Sequence, residues 1–206
     1  KLSERTKKDL EKLGVNVLTS TPVKEIKPRE ILLGDKKKLP SEVTIWAAGV
    51  TGEPVMKKLG LPNTNGRITV DPTLQVSNYP NIFAIGDVAQ MEGDVRYPEG
   101  HPMMAPPGMQ QGKLVAENIL SLLKKKPMKP FHYFDKGSMA TIGRHKAVVD
   151  IGKFHIQGFF AWYIWMVIHL LSLVGWKNKL STLLSWTWSY FGYQKSNRFI
   201  IGRAEK

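Results

Sequence analysis

Asp87 stands where chemistry could begin. It follows the uninterrupted apolar run Ile82 to Ile85 and then Gly86, a pattern that predicts a strand buried on both faces of a parallel sheet, a sharp turn and the start of a helix. In open α/β sheets ligands bind in the crevice beyond the carboxyl ends of the strands, so a carboxylate there can accept hydrogen bonds from a ligand hydroxyl. The same residue could equally do no more than cap a helix. Gln110 and Gln111 follow Ala105-Pro106-Pro107-Gly108-Met109, ahead of apolar residues at Val115, Ala116, Ile119, Leu122 and Leu123 in helical spacing. Prolines are tolerated at a helix start, and a helix N-terminus aimed at a ligand offers free N–H groups and a positive dipole. Read as bare residues, the two glutamines are surface amides, and Lys136 is an exposed cation in a turn. Ala47 and Gly49 close the run Val43 to Trp46, where small side chains either pack tightly or let a flat ligand approach the backbone.

The elements that must position these residues follow from periodicity and punctuation. Leu2, Leu10 and Leu13 can share one face of a polar helix that stops at Gly14. Val15 to Leu18, Ile31 to Leu33 and Val43 to Gly49 read as strands, with a hairpin-type turn at Gly34-Asp35. A helix is expected over Lys113 to Leu123, ended by Lys124 to Lys126 and the breaker Pro127. Beyond it Phe131 to Phe134, Gly137 to Gly143 and Ala147 to Gly152 read as three short strands, the last two joined by a turn at Gly143-Arg144-His145-Lys146.

Composition narrows the functions open to the chain. Its 206 residues can bury a sizeable core but are few for two complete nucleotide domains plus an appendage. There is no Cys, so disulfides, thiolate metal sites and a redox dithiol are excluded, and the five scattered His give no support to a metal site. Residues 1–112 carry 15 Lys+Arg against 13 Asp+Glu, whereas residues 113–206 carry 15 against 4. A positive field of that kind suits phosphate backbones or anionic lipid headgroups. Five of the six Trp lie between Trp162 and Trp188, in the same basic half and among aliphatic runs, which favours a membrane surface over nucleic acid.

Phe159 to Gly175 is an apolar stretch of 17 residues, at the lower margin of the roughly 20 needed to cross a bilayer. A second aromatic and aliphatic stretch runs from Leu180 to Phe191, with basic Trp176-Lys177-Asn178-Lys179 between them. Cationic flanks with Trp and Tyr predict monotopic attachment in the headgroup layer, through residues 159–203, to an anionic lipid surface. No signal peptide is expected at the start, which is polar from Lys1 to Lys12.

Several words in the chain carry a family resemblance. Asn81-Ile-Phe-Ala-Ile-Gly-Asp-Val-Ala89 closely resembles the second flavin-binding motif of the two-dinucleotide-domain flavoproteins. The succession from Thr44-Ile-Trp-Ala-Ala-Gly-Val-Thr-Gly-Glu-Pro-Val55 through Leu59-Gly-Leu-Pro62 and Gly66-Arg-Ile-Thr-Val-Asp71 is similar to the closing half of type II NADH:quinone oxidoreductases. Asp135-Lys-Gly-Ser-Met-Ala-Thr-Ile-Gly143 resembles the signature of that family's C-terminal domain. The resemblance covers essentially the whole chain.

It implies an α/β fold: the closing parts of two Rossmann-like dinucleotide-binding domains, for NADH over residues 1–50 and FAD over residues 51–126, then an α+β membrane-anchoring, quinone-side domain over residues 127–206. Gly66 to Asp71 would be a strand on the return into the FAD domain, with Pro72 and Pro80 bounding the loop that leads to the flavin strand. Asp87, after Gly86, would hold the ribityl chain of FAD; Gln111 would also face the cofactor, and Ala47 and Gly49 would border the nicotinamide of NAD. Gln110 and Lys136 would line the quinone side, although Pro106 stands where many members have Gln. The implied partners are NADH and a membrane quinone, with a homodimer also open to the class, at the cytoplasmic face of the cell membrane. Other flavin-dependent pyridine-nucleotide reductases, or a non-enzymatic basic membrane-binding module, are the alternatives. No GxGxxG occurs, although FAD and NADH each call for one in the N-terminal half of a domain. These residues are therefore expected to be the C-terminal portion of a longer enzyme, and alone to hold FAD weakly and turn over little.

Overall fold

A computed structural model describes residues 2–35, 37–50, 52 and 58–192. The chain divides into two compact units, one of Thr19–Lys136 and one in which Lys1–Leu18 joins Gly137–Lys206. Helices and sheets alternate along the chain, and the fold class is α/β.

In the first unit, β1 (Val23–Lys27), β2 (Glu30–Leu33) and β3 (Lys38–Pro40) form an antiparallel meander, with Gly34 and Asp35 in the expected turn. Only Leu33 of these strands is buried. A five-stranded sheet follows, from β4 (Asn63–Thr64), β5 (Arg67–Val70), β6 (Gln75–Val76), β7 (Tyr79–Phe83) and β8 (Ala89–Met91), ordered β4-β5-β6-β7 with β8 parallel to β5. Asn65 and Gly66, both at positive φ, make the two-residue turn into β5, as the right-handed twist of a hairpin requires. All four residues of β5 are buried. Ile68 and Val70 join Leu74, Val76, Ala84, Ala89, Met91 and Val115 in the core.

Helix α1 spans Leu2–Glu11 and α2 spans Ala105–Leu123. The second begins eight residues before the expected start at Lys113, and Pro106 and Pro107 fall in its first turn, where no intrahelical N–H bond is lost. Asn118 is fully buried. Its amide nitrogen donates to the Thr73 and Lys129 carbonyls and its oxygen accepts from the Lys129 N–H, which pins the return of the chain after the helix.

Four expectations about strands are corrected. The segment ending in Ala47 and Gly49 is irregular, and Val43, Ile45 and Trp46 are exposed. No strand among the described residues pairs with it, and an apolar run without a ladder partner has no reason to extend as a strand. Val15 to Leu18 is likewise irregular. The strand before Gly86 is antiparallel to β6, and Ile82 and Ile85 keep 37% and 38% of their surface. It lies at the sheet's edge among the described strands, so it lacks the strand neighbours on both sides that a strand inside a parallel sheet has. Phe131 to Phe134 keeps the alternation of a strand, with Phe131 and Tyr133 buried and His132 and Phe134 exposed. It forms no ladder; Phe131 N–H donates to the Pro72 carbonyl.

The second unit holds an antiparallel sheet, ordered β11-β10-β9, of β9 (Ser138–Thr141), β10 (Ala147–Ile151) and β11 (Phe154–Gly158). Helices α3 (Phe159–Ser172) and α4 (Trp176–Gly192) follow. Ala161 of α3 packs on Ala147 and Val149 of β10. The helices form a hairpin stitched by rings: Trp165 stacks on Trp186 at 5.8 Å and Trp162 lies 5.6 Å from Tyr190. Gly137, at φ +88°, cannot carry a side chain, since a Cβ there would stand 2.2 Å from the Asp150 carbonyl oxygen. Asp9 of α1 is buried and bound by Lys146 at 2.8 Å and Arg5 at 3.2 Å. The Lys146 hydrogen bond holds its carboxyl below the ordinary range against the opposing effect of burial, with Arg5 assisting.

Candidate functional site

The turn after β7 is where the elements converge. Gly86–Val88 forms a single 3-10 turn, with Gly86 at φ +70°, and the start of α2 packs against it. The approach is close because glycine faces glycine: a Cβ on Gly108 would stand 3.4 Å from the Gly86 Cα. Gln111, one turn further along α2 and 1% exposed, accepts the Gly86 N–H at 2.6 Å. Asp87 is thereby presented at the surface of a turn held from behind. No side chain caps the start of α2 at Met104; Pro106 and Pro107 have no N–H, so of its first three residues only Ala105 carries one, and what the start of the helix offers beside the turn is chiefly its positive dipole.

Gln110 points elsewhere. Successive helix residues are rotated by about 100°, and Gln110 donates to the Phe134 carbonyl and accepts the Phe134 N–H, each at 3.0 Å. This two-bond clamp ties α2 to the segment that carries Lys136, which is itself exposed. The structure thus groups Gly86, Asp87 and Gln111, and sets Gln110 with the Lys136 segment on another side of α2. Ala47 and Gly49 sit on the exposed segment before residue 51, outside that grouping.

Two features of the site escaped the sequence. Arg67, at the first position of β5, is 5% exposed, and its guanidinium donates to the Ala89 and His101 carbonyls. Burial lowers its proton affinity while the negative charge of Asp87 raises it, so Arg67 is the internal counter-charge beneath the turn. The available signal was a charged residue opening a strand otherwise fit for a core. The second feature is an aromatic box in which His101 lies 5.1 Å from both Tyr97 and Phe131 and 5.7 Å from Tyr133. His101 Nε2 meets Asp94 Oδ2 at 3.2 Å. Burial pushes the imidazole below its usual value, against the pull of Asp94, and a neutral ring fits with its proton on Nε2, donating to the carboxylate. No local motif announces that arrangement.

The chain is similar to known proteins in both sequence and fold. Residues 1–112 match the pyridine nucleotide-disulphide oxidoreductase family, and the chain belongs to that family. Residues 135–192 match the NDH2 C-terminal domain. The chain is similar to the type II NADH:quinone oxidoreductase Ndh of Mycobacterium tuberculosis, with 36% identity over 95% of this chain and 43% of that protein. It is also similar to the mitochondrial internal alternative NAD(P)H-ubiquinone oxidoreductase A1 of Arabidopsis thaliana, with 33% identity over 87% of this chain and 38% of that protein. The chain thus spans less than half the length of these curated relatives. Among solved structures, NDH2 from Plasmodium falciparum in complex with NADH shares the fold with a TM-score of 0.81, at 20% identity over 92% of this chain and 54% of that one. The sulfide:quinone oxidoreductase of Aquifex aeolicus follows with a TM-score of 0.61 at 18% identity, over 92% of this chain and 45% of that one.

Proposed function

We propose that the protein containing these residues is a type II NADH:quinone oxidoreductase: a membrane-associated flavoenzyme that takes electrons from NADH and delivers them, without pumping protons, to a quinone. The observation that carries the reading is the Gly86-Asp87 turn, backed by Gln111 and the start of α2, in a chain that matches the two family regions in order. These residues contribute no redox disulfide, because they contain no Cys.

FAD fits what is present. The glycine-to-glycine approach leaves a cradle that a Cβ would narrow, Asp87 offers an exposed carboxylate to the hydroxyls of the ribityl chain, and the uncapped start of α2 suits negative charge. When bound, FAD supplies the two-electron chemistry that links a nicotinamide to a quinone. The chain's own residues orient and hold. Asp87 accepts hydrogen bonds, Gln111 fixes the turn that aims it, and Arg67 offsets its charge from below. Ala47 and Gly49 border the nicotinamide side of NAD, where small side chains admit a flat ring. On the quinone side, Gln110 works as a positioning residue through the Phe134 backbone, which sets the placement of Lys136.

The α3 and α4 hairpin supports membrane attachment. Phe160, Leu171, Val174, Trp176, Leu184, Trp188 and Phe191 are all exposed, far more apolar surface than scattered residues explain. Among the described residues no helix is long and apolar enough to cross a membrane. Helix α3, with 14 residues, reaches only about 21 Å against a hydrocarbon core of about 30 Å. The hairpin is read as lying in an anionic headgroup layer at the cytoplasmic face; residues 193–203 of the expected lipid-binding stretch lie outside the described residues.

The test is Asp87→Ala in the complete protein, with flavin content and NADH oxidation by a short-chain quinone both measured. Flavin retention is expected to drop at least tenfold, with quinone-dependent oxidation falling in proportion. Undiminished flavin and turnover would remove Asp87 from the site, and a wild-type protein that reduces no quinone with NADH would end the reading.

A further inference from the structure

The Gly86-Asp87 turn sits inside a closed ring of hydrogen bonds. Gln111 of α2 accepts the Gly86 N–H at 2.6 Å, and the Ala89 N–H donates to the Gly86 carbonyl, which closes the turn on itself. The Ala89 carbonyl then accepts from Arg67 Nη2, and the same nitrogen reaches the His101 carbonyl at 3.1 Å. His101 stands three residues before Met104, where α2 begins, so the ring returns to the helix that carries Gln111. Without the guanidinium the two halves of this ring would be joined on one side only.

The surroundings are shaped to that side chain. Gly100, at φ +89°, leaves the space in which it lies, since a Cβ there would stand 2.8 Å from Arg67 Nη1. His101 is itself anchored, by its aromatic neighbours and by Asp94. Burial lowers the proton affinity of Arg67 and Asp87 raises it, so guanidinium and carboxylate sense one another through the turn. An apolar side chain would open a core strand at a lower desolvation cost. A guanidinium is needed where two carbonyls from separate segments must be held at one point.

We propose that Arg67 is a positioning residue for FAD: by gripping the Ala89 and His101 carbonyls together it fixes the distance between Asp87 and the start of α2, and so the fit of the cofactor between them. The proposal rests on the flavin reading above and adds a clamp to the counter-charge described there. Arg67 lies beneath the turn and acts through Asp87 rather than on the cofactor itself. Lysine matches the clamp only in part, because an ammonium is a point donor on a flexible stem where the guanidinium is a fixed fork.

In the experiment the complete protein is stripped of flavin and titrated with FAD. Affinity is read from the quenching of flavin fluorescence, and stability from urea unfolding of the same apoprotein. Arg67→Met should weaken FAD binding about tenfold, the worth of one hydrogen bond to a charged group, and Arg67→Lys only about threefold. In an Asp87→Ala background, where no carboxylate is left to aim, Arg67→Met should weaken FAD by less than about twofold further, since residues that act through one contact are not additive. A general loss of packing would instead weaken FAD equally in both backgrounds. If Arg67→Met does not fold, Arg67→Lys carries the same cycle, with a loss of about threefold when Asp87 is present and none without it. The proposal is overturned if Arg67→Met binds FAD as tightly as the wild type, if either variant's loss is the same with and without Asp87, or if Arg67→Lys is no better than Arg67→Met. A wild type that binds no FAD overturns the flavin reading itself, whereas one that binds FAD beside an indifferent Arg67→Met leaves that reading standing.

Discussion

Gln111→Met tests whether one buried amide aims the Gly86-Asp87 turn. Methionine has nearly the volume of glutamine and fits helices well, so the substitution removes the acceptor without emptying the space. The Gly86 N–H, now bonded at 2.6 Å, is left without its partner. An unsatisfied buried donor costs about 1–3 kcal/mol, and because Gly86 is only half-buried the lower part of that range applies, about 1.5 kcal/mol. That is roughly a tenfold loss in the ratio of folded to unfolded protein. In urea, with a slope near 2 kcal/mol per molar, the midpoint should fall by about 0.7 M. Gln111→Ala should cost about 2 kcal/mol more, since it also empties the space that the Met side chain beyond Cβ fills, and truncating a buried Met to Ala costs about 2–5 kcal/mol. Flavin retained through gel filtration should fall in the same order, wild type above Met above Ala, because the turn that presents Asp87 loses its brace. A Met variant as stable as the wild type, or one equal to Ala, would refute the assignment of the Gly86 bond as the main role of Gln111.

Gly137→Ala should destabilise the hairpin unit by more than about 2 kcal/mol, since strain at positive φ adds to a backbone clash; a thermal midpoint within a degree of the wild type would contradict the 2.2 Å approach to Asp150. Acid titration of stability should show a decline that starts below the ordinary histidine value of 6.5, because buried His101, facing Asp94 with Arg67 and Arg96 nearby, resists a proton that the unfolded chain accepts. His101→Phe should flatten that phase. A second decline should start below the ordinary carboxyl value of 3.8, where Asp9 held below it by Lys146 and Arg5 keeps its charge in the folded protein alone; Asp9→Asn should reduce that phase, leaving the share of Asp94, which is also held below 3.8, while lowering stability at neutral pH.

Local signals were enough for much of the fold. The Gly86-Asp87 turn, the prolines opening α2, the Gly34-Asp35 hairpin, the β9 and β10 strands and the two apolar helices are each written in a window of ten residues or so. Backbone sterics, helical spacing and chain breakers act over that distance. The flavoprotein resemblance rests on the same short words, which is why the family is legible in the sequence.

What required the folded chain were the partners. That Gln111 reaches back 25 residues to Gly86 while its neighbour Gln110 turns to Phe134 depends on how α2 lies against two separate segments. Asp9 meets Lys146 across 137 residues, and His101 finds its aromatic box only after distant loops close over it. The apolar run before Ala47 shows the reverse: its strand pattern is sound, but a strand needs a neighbour to bond, and the described residues supply none. Sequence alone therefore determined the turns, the helical faces and the kind of chemistry, whereas packing decided which polar groups are buried, which partner satisfies each, and which surfaces stay open to ligand or lipid.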